Sequence, residues 1–361
     1  MKSKCPTTGK NFKNKKVNQT KKINSKYDKS NPYNLAIFNK INTNKDDFIS
    51  LFDFVHTYND IYYIIYINNK YDIIFINIID NKIVLSIKNA HHYQIFYIVH
   101  YSDKINKRDL FASYSSDSLK LWDINAIECI AEIDLVSSYG DKLLNSLFFM
   151  KLKNQLYIVA PFTFDNNYEK IVLYDLKGIK AKEIKIKIKS KKNVFDTNCY
   201  YEQKSQKNYI FICGPGFLKS FDVNKNDIYK VYCDNDDILN NQALIYDGDK
   251  IIKLISAGGG MVRIWNFHSG ALLNAIKINN SKYNLPKICI WNSDYLIGTC
   301  DYNGFKIFDF KNSNIPQTIS EFGYTEEAKK IKHPIYGECL VILTIHGISR
   351  KLSLAINKSF L

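Results

Sequence analysis

The chain has 361 residues, of which 46% are hydrophobic and 14% aromatic, so it can bury a substantial core and is not a disordered chain. The net charge of +15 is uneven, because residues 1–32 carry ten lysines against one acid, Asp28. The eight cysteines are scattered singly, and no apolar run is long enough to span a membrane. These features argue against a zinc module and a membrane protein. They favour a reduced compartment, which we expect to be the cytoplasm, with the nucleus as the alternative.

Residues 1–32 are polar and Lys-rich, and this composition predicts a disordered basic tail. Such a tail could bind RNA, an acidic protein or an anionic surface, since neutralised phosphates release counterions. Only Phe12 and Tyr27 could stack on bases. A weak nuclear signal at residues 13–22, and a solvated extension with no specific role, stay open as alternatives.

The clearest unit of the remaining chain runs from Ala90 to Ile124. It contains three strand-length segments with alternating apolar residues, separated by turn residues, and a fourth segment follows at 126–133. The third segment ends at Trp122-Asp123, and an aromatic residue followed by Asp or Asn recurs at Tyr174-Asp175, Phe221-Asp222, Trp265-Asn266 and Phe308-Asp309. Successive intervals are 52, 47, 44 and 43 residues. This spacing is typical of propeller blades.

The recurrence resembles the WD-repeat family, with residues 90–133 and 250–278 matching best. The resemblance implies an all-β β-propeller over residues 33–361, and counting the repeats along the chain gives seven blades. Its blades are expected near 46–89, 90–135, 141–188, 193–233, 238–279, 283–322 and 327–356. The last blade lacks a fourth strand, and Tyr33–Ile41 is the candidate that completes it and closes the ring. A propeller with an even number of blades remains an alternative.

His91, Ser113 or Ser115, Asp117 and Trp122 have the composition of a catalytic serine-histidine-aspartate set. In WD repeats, these positions resemble a structural tetrad, in which Trp, Ser, His and Asp form a buried hydrogen-bond chain. We therefore expect His91, Ser113, Asp117 and Trp122 to serve the fold rather than catalysis. The turn before Trp122 is one residue short, so Asp117 is expected to have difficulty in reaching His91.

No catalytic constellation, metal site or cofactor site emerges from the sequence. The run Gly258-Gly259-Gly260 precedes a strand and lacks the continuation of a phosphate-binding loop, so it is interpreted as a turn that needs positive φ. The seven histidines are dispersed, and only His91 and His92 are adjacent. We therefore predict that the protein is not an enzyme and that it needs no cofactor or metal.

Lysines alternate with isoleucines from Lys185 to Lys189, a pattern that predicts an outer strand with one wet face. Lys189, Lys191 and Lys192 continue into the loop before the next blade. The WD-repeat resemblance implies that such loops line a partner-binding face. These three lysines are therefore the predicted contact for an acidic or phosphorylated partner.

The sequence thus predicts a non-catalytic scaffold or adaptor that binds other proteins, as a monomer within a larger complex. Association with RNA or another acidic partner, with residues 1–32 as an electrostatic arm, is the alternative. The identity of the partner does not follow from the sequence.

Overall fold

The structure is a computed structural model, and most of the chain after residue 34 can be described in it. The described residues are 35–41, 43, 49–134, 142–143, 146–163, 168–187, 196–202, 205–214, 216–233, 241–247, 250–258, 260–277, 287–292, 294–299, 305–309, 317–319, 324–346 and 349–357. The proposed basic tail, residues 1–32, lies outside them.

The described residues form strands and no helices, arranged in seven small antiparallel sheets that we number as blades 1 to 7. Blade 1 contains β2 (Leu51–His56), β3 (Tyr62–Ile67), β4 (Ile73–Asn77) and β5 (Lys82–Ile87). Blade 2 contains β6 (Ile95–Asp103), β7 (Arg108–Ser115), β8 (Ser118–Asp123) and β9 (Glu128–Asp134). Blade 3 contains β10 (Lys142–Leu143), β11 (Phe148–Leu152), β12 (Gln155–Thr163), β13 (Tyr168–Tyr174) and β14 (Lys180–Lys187).

Blades 4 to 7 repeat the same up-and-down order. Blade 4 contains β15 (Asp196–Glu202), β16 (Lys207–Gly214), β17 (Phe217–Asp222) and β18 (Asp227–Cys233). Blade 5 contains β19 (Asn241–Asp247), β20 (Lys250–Gly258), β21 (Met261–Asn266) and β22 (Leu272–Lys277). Blade 6 contains β23 (Ile288–Ile290), β24 (Tyr295–Thr299), β25 (Phe305–Asp309) and β26 (Gln317–Ile319). Blade 7 contains β27 (Thr325–His333), β28 (Gly337–His346), β29 (Ser349–Asn357) and, from the start of the chain, β1 (Leu35–Lys40).

The blades form a closed ring around their first strands. In blade 3 this strand is β11, which follows the two-residue β10. Each such strand contacts that of the next blade, in the order β2, β6, β11, β15, β19, β23 and β27, and β27 contacts β2. Strand β1 pairs antiparallel with β29, from Leu35 opposite Asn357 to Lys40 opposite Ser353. The predicted seven-bladed propeller, closed by an N-terminal strand, is therefore confirmed.

The hydrophobic core is divided among the junctions between blades. Among the described residues there are seven apolar clusters, and each combines side chains from two neighbouring blades. The cluster between blades 7 and 1 includes Phe52 and Tyr66 from one side and Val341 and Leu354 from the other. Because each sheet buries both of its faces in this way, apolar packing on every junction stabilises the ring.

The aromatic-Asp/Asn signature occurs where the third strand of a blade ends. In blades 2 to 5, and in blade 1 where Ile76 replaces the aromatic residue before Asn77, the side-chain oxygen of this Asp or Asn accepts hydrogen bonds of 2.8–3.1 Å from backbone N–H groups two to four residues further along the chain. The five residues are Asn77, Asp123, Asp175, Asp222 and Asn266. Each thus forms an Asx turn, which begins the hairpin to the fourth strand. This turn is the physical reason why the signature recurs.

Candidate interaction surface

The antiparallel order gives the propeller two different faces. The turns that join first to second and third to fourth strands lie on one face, which we call the hairpin face. The turns between second and third strands, and the described connection between blades 1 and 2 (88–94), lie on the opposite face, which we call the crossover face. A side chain in either kind of connection is therefore assigned to a face by topology alone.

Three of the predicted tetrad residues form a buried hydrogen-bond chain within blade 2. The indole Nε1 of Trp122 donates to Ser113 Oγ at 2.8 Å, and Ser113 Oγ lies 2.7 Å from His91 Nε2. Ser113 Oγ thus links the indole of Trp122 to the imidazole of His91. The Ser113 side chain has 0% exposure, so a substrate cannot reach this hydroxyl unless the blade opens.

Asp117 approaches His91 without making a hydrogen bond of ordinary length. Its Oδ1 lies 3.6 Å from His91 Nδ1, whereas Ser118 Oγ lies 3.2 Å from the same nitrogen. Burial, together with the nearby Lys120, lowers the pKa of His91 to about 4. His91 is therefore neutral at neutral pH. Ser118, which follows directly in the short turn, is a partner that the sequence analysis did not identify.

Blade 5 contains the tryptophan-serine part of this hydrogen-bond chain, in which Trp265 Nε1 donates to Ser256 Oγ at 3.0 Å. The Gly-rich turn beside it contains Gly260 at φ +73°, in the left-handed region that favours glycine. In blades 1, 3, 4 and 6, the strand register places other residues at the positions of this serine and this tryptophan. In each pair that follows, the first residue occupies the serine position and the second the tryptophan position. These pairs are Tyr66 and Ile76, Ala160 and Tyr174, Ile212 and Phe221, and Gly298 and Phe308. A serine thus occurs in the blades whose third strand carries an indole N–H, a group that needs an acceptor when buried.

Charged side chains on the first strands of blades 7 and 1, together with Lys287 just before the first strand of blade 6, link these three blades. Lys287 Nζ lies 2.9 Å from Glu327 Oε2, and Lys329 Nζ lies 3.7 Å from Glu327 Oε1 and 3.0 Å from Asp53 Oδ1. Lys329 also donates to the carbonyl of Phe52 at 2.9 Å. Although burial opposes it, the carboxylates Asp53 and Glu327 raise the pKa of Lys329. Two ammonium groups therefore neutralise two carboxylates at the centre of the ring.

No group of three or more His, Cys, Asp or Glu side chains among the described residues could hold a metal ion. Likewise, the described part of the chain contains no helix long and apolar enough to cross a membrane.

The predicted partner-binding residues Lys189, Lys191 and Lys192 lie outside the described residues. The strand that precedes them, β14, is the outermost strand of blade 3 and pairs only with β13 in that sheet. Its Ile184 is buried against blade 4, while Lys182 is exposed. This part of the lysine-isoleucine pattern therefore belongs to an outer strand, as the alternation indicates.

An open cleft of about 290 Å³ lies between blades 2 and 3, on the hairpin face. Its lining comes from the β6–β7 turn, the β11–β12 turn and the β13–β14 turn. The aromatic and charged residues of the lining are Tyr101, Asp103, Arg108, Lys151, Asp175 and Lys177. Sequence reasoning missed this site, because its residues come from three hairpins that only the ring brings together.

The two carboxylates of the cleft accept hydrogen bonds from donors within their own turns. Asp103 accepts hydrogen bonds from the backbone N and side-chain Nδ2 of Asn106 at 3.2 and 2.6 Å. Although burial raises it, these donors and Arg108 lower the pKa of Asp103 below its ordinary value. Asp175 Oδ1 accepts from the backbone N of Lys177 and of Ile179, each at 2.9 Å.

Comparison with protein-family models finds no match to this chain. Comparison with the curated proteins finds no match either.

Proposed function

We propose that this protein is a WD-repeat-type propeller that acts as a non-catalytic scaffold or adaptor for partner proteins. The propeller fold is commonly a protein-interaction scaffold, and the fold here comprises all seven blades. In this proposal the protein works in the cytoplasm as a monomer within a larger complex, and it needs neither a cofactor nor a metal.

The observation that carries the proposal is the contrast between the interior and the hairpin face. Inside, Trp122, Ser113 and His91 are hydrogen-bonded to one another, and Ser113 is fully buried. On the hairpin face, two lysines that line an open cleft keep ammonium groups without a partner among the described residues. Unsatisfied charge at a surface is available for recognition of another molecule.

Proximity labelling and co-purification from the native cell test this proposal. The full-length chain carries the label, and the label alone in the same cell is the control. We expect a reproducible set of proteins enriched over the control in both experiments. No reproducible partner, or turnover of a substrate by the purified chain, would contradict the proposal.

A second candidate function, association with RNA or an acidic partner, depends on the ten lysines of residues 1–32. Its test is a salt titration of RNA binding by the full-length chain and by a chain that lacks residues 1–32. An electrostatic arm predicts that affinity falls steeply with salt and that the truncation removes most of it. Equal and negligible binding by both chains would exclude the arm.

A further inference from the structure

We propose that the cleft between blades 2 and 3 binds an acidic segment of a partner protein, with aliphatic residues beside the acidic ones. This inference rests on the proposed scaffold function and specifies its surface and the chemistry of its partner. The site lies on the hairpin face and includes none of Lys189, Lys191 and Lys192, which lie outside the described residues.

The charge of the cleft favours an anion. Three cations, Arg108, Lys151 and Lys177, line it together with two carboxylates, Asp103 and Asp175. The carboxylates accept hydrogen bonds from Asn106 and from backbone N–H groups within their own turns, and the cleft has one more cation than carboxylates. The ammonium groups of Lys151 and Lys177 have no partner within the described part of the chain.

Arg108 adds a guanidinium that its own ion pair does not saturate. Its Nε lies 3.5 Å from Asp103 Oδ2, beyond an ordinary hydrogen bond, and its side chain is about one-third exposed. A guanidinium presents five N–H donors in a planar fork that suits carboxylates. A carboxylate in the cleft would therefore meet a guanidinium and two ammonium groups.

Apolar side chains stand on two of the turns that line the cleft. Ile105, in the β6–β7 turn, is 77% exposed, and Ile179, in the β13–β14 turn, is 61% exposed. Among the described residues these are the two most exposed large hydrophobic side chains. They offer contacts to aliphatic residues on either side of an acidic group, which a free carboxylate ion would not use.

The lining favours a protein segment over single-stranded nucleic acid. Bases bind along a basic groove through stacking on successive aromatic side chains. Among the described residues, Tyr101 is the one aromatic side chain that lines this cleft. The volume of about 290 Å³ is at the lower end of ligand pockets, which suits a few side chains of a peptide.

The test is fluorescence anisotropy with the full-length chain and a labelled nine-residue peptide that has three central glutamates between leucines. The cleft variant is Lys151→Glu with Lys177→Glu. The control variant is Lys70→Glu with Lys225→Glu, which has the same net charge. Lys225 occupies in blade 4 the turn that Lys177 occupies in blade 3, and Lys70 lies in a turn of the crossover face.

We expect the wild-type chain and the control variant to bind the peptide equally, and the cleft variant to bind about tenfold more weakly. Carbodiimide coupling of the wild-type chain to the peptide should form amide bonds at Lys151 or Lys177, located by mass spectrometry. This second measurement does not depend on the folding of a variant. A peptide with lysines in place of the glutamates should not bind.

Equal binding by the cleft and control variants, or coupling confined to other lysines, would overturn the proposal. Tighter, variant-sensitive binding of single-stranded RNA than of the peptide would overturn it in favour of a nucleic-acid site. Co-purification separates this failure from failure of the scaffold function. If the wild-type chain and the cleft variant recover the same proteins, the scaffold function stands and the cleft proposal fails.

Discussion

Trp122 and Ser113 stand nine residues apart on neighbouring strands, and the indole Nε1 donates to the serine Oγ at 2.8 Å. Trp265 and Ser256 have the same separation and the same bond at 3.0 Å. A buried indole N–H without an acceptor is costly, so each tryptophan depends on its serine.

Replacement of Ser113 by Ala should lower the free energy of unfolding by about 1–3 kcal/mol, because Trp122 is left with an unsatisfied N–H. His91 loses a partner as well, so the loss should exceed that of Ser256→Ala. Denaturant titration followed by tryptophan fluorescence measures both. The double variant Ser113→Ala with Trp122→Phe no longer has the unpaired indole N–H. Its loss of unfolding free energy should therefore be smaller than the sum of the losses in the two single variants. Strict additivity would show that the two residues are not coupled.

Stability should fall as pH is lowered from about 6.5 to about 4, because burial depresses the pKa of His91 to about 4 in the folded chain. In this window the unfolded chain binds more protons, so protonation favours unfolding. The shift corresponds to a loss of about 3 kcal/mol. The buried His333, whose pKa burial also lowers, contributes with the same sign.

Thermal melts across this pH range measure the effect, and His91→Gln should show a shallower slope than the wild-type chain. A wild-type melting temperature that is constant between pH 6.5 and 4 would contradict the assignment of a neutral, buried His91.

Deletion of residues 1–41 should abolish cooperative unfolding or cause aggregation, because it removes β1 and leaves the edge of β29 unpaired. It also removes Leu35, which is buried in the junction between blades 6 and 7. Deletion of residues 1–32 is the matched control and should leave the melting temperature unchanged. Gel filtration and calorimetry distinguish the two. Equal stability of both truncated chains would mean that β1 does not hold the ring closed.

Replacement of Ile127 by Asn should raise the free energy of unfolding by about 1 kcal/mol, because Ile127 has φ +57° in the turn that begins at Asp123. Ile127 lies four residues after Asp123. The equivalent positions in blades 1, 4 and 5 are occupied by Asn81, Asn226 and Gly270, all at positive φ. These residue types tolerate that conformation, whereas a β-branched side chain does not.

Chemical denaturation measures this gain, and Asn226→Ile provides the reverse change in blade 4, with an expected loss of similar size. If Ile127→Asn destabilises the chain, the burial of Ile127 outweighs its backbone strain.

Much of the architecture was accessible from sequence because its signals are local. Trp122-Asp123 and its repeats mark strand ends since the Asp or Asn accepts hydrogen bonds within its own turn, a few residues away. The pairing of Tyr33–Ile41 with the last blade followed from counting strands, and β1 indeed spans Leu35–Lys40. The site at Lys189, Lys191 and Lys192 remains a prediction.

The sequence by itself determined the period and the strand ends, because each depends on residues close along the chain. It left the number of blades open, since closure of the ring at seven depends on the pairing of β1 with the distant β29. The tertiary structure alone decided which distant groups meet. The linkage of Lys329 to Asp53, and the gathering of Arg108, Lys151 and Lys177 in one cleft, depend on how neighbouring blades are placed. Side-chain charges act over a few ångströms in space regardless of separation along the chain, so no local pattern encodes them.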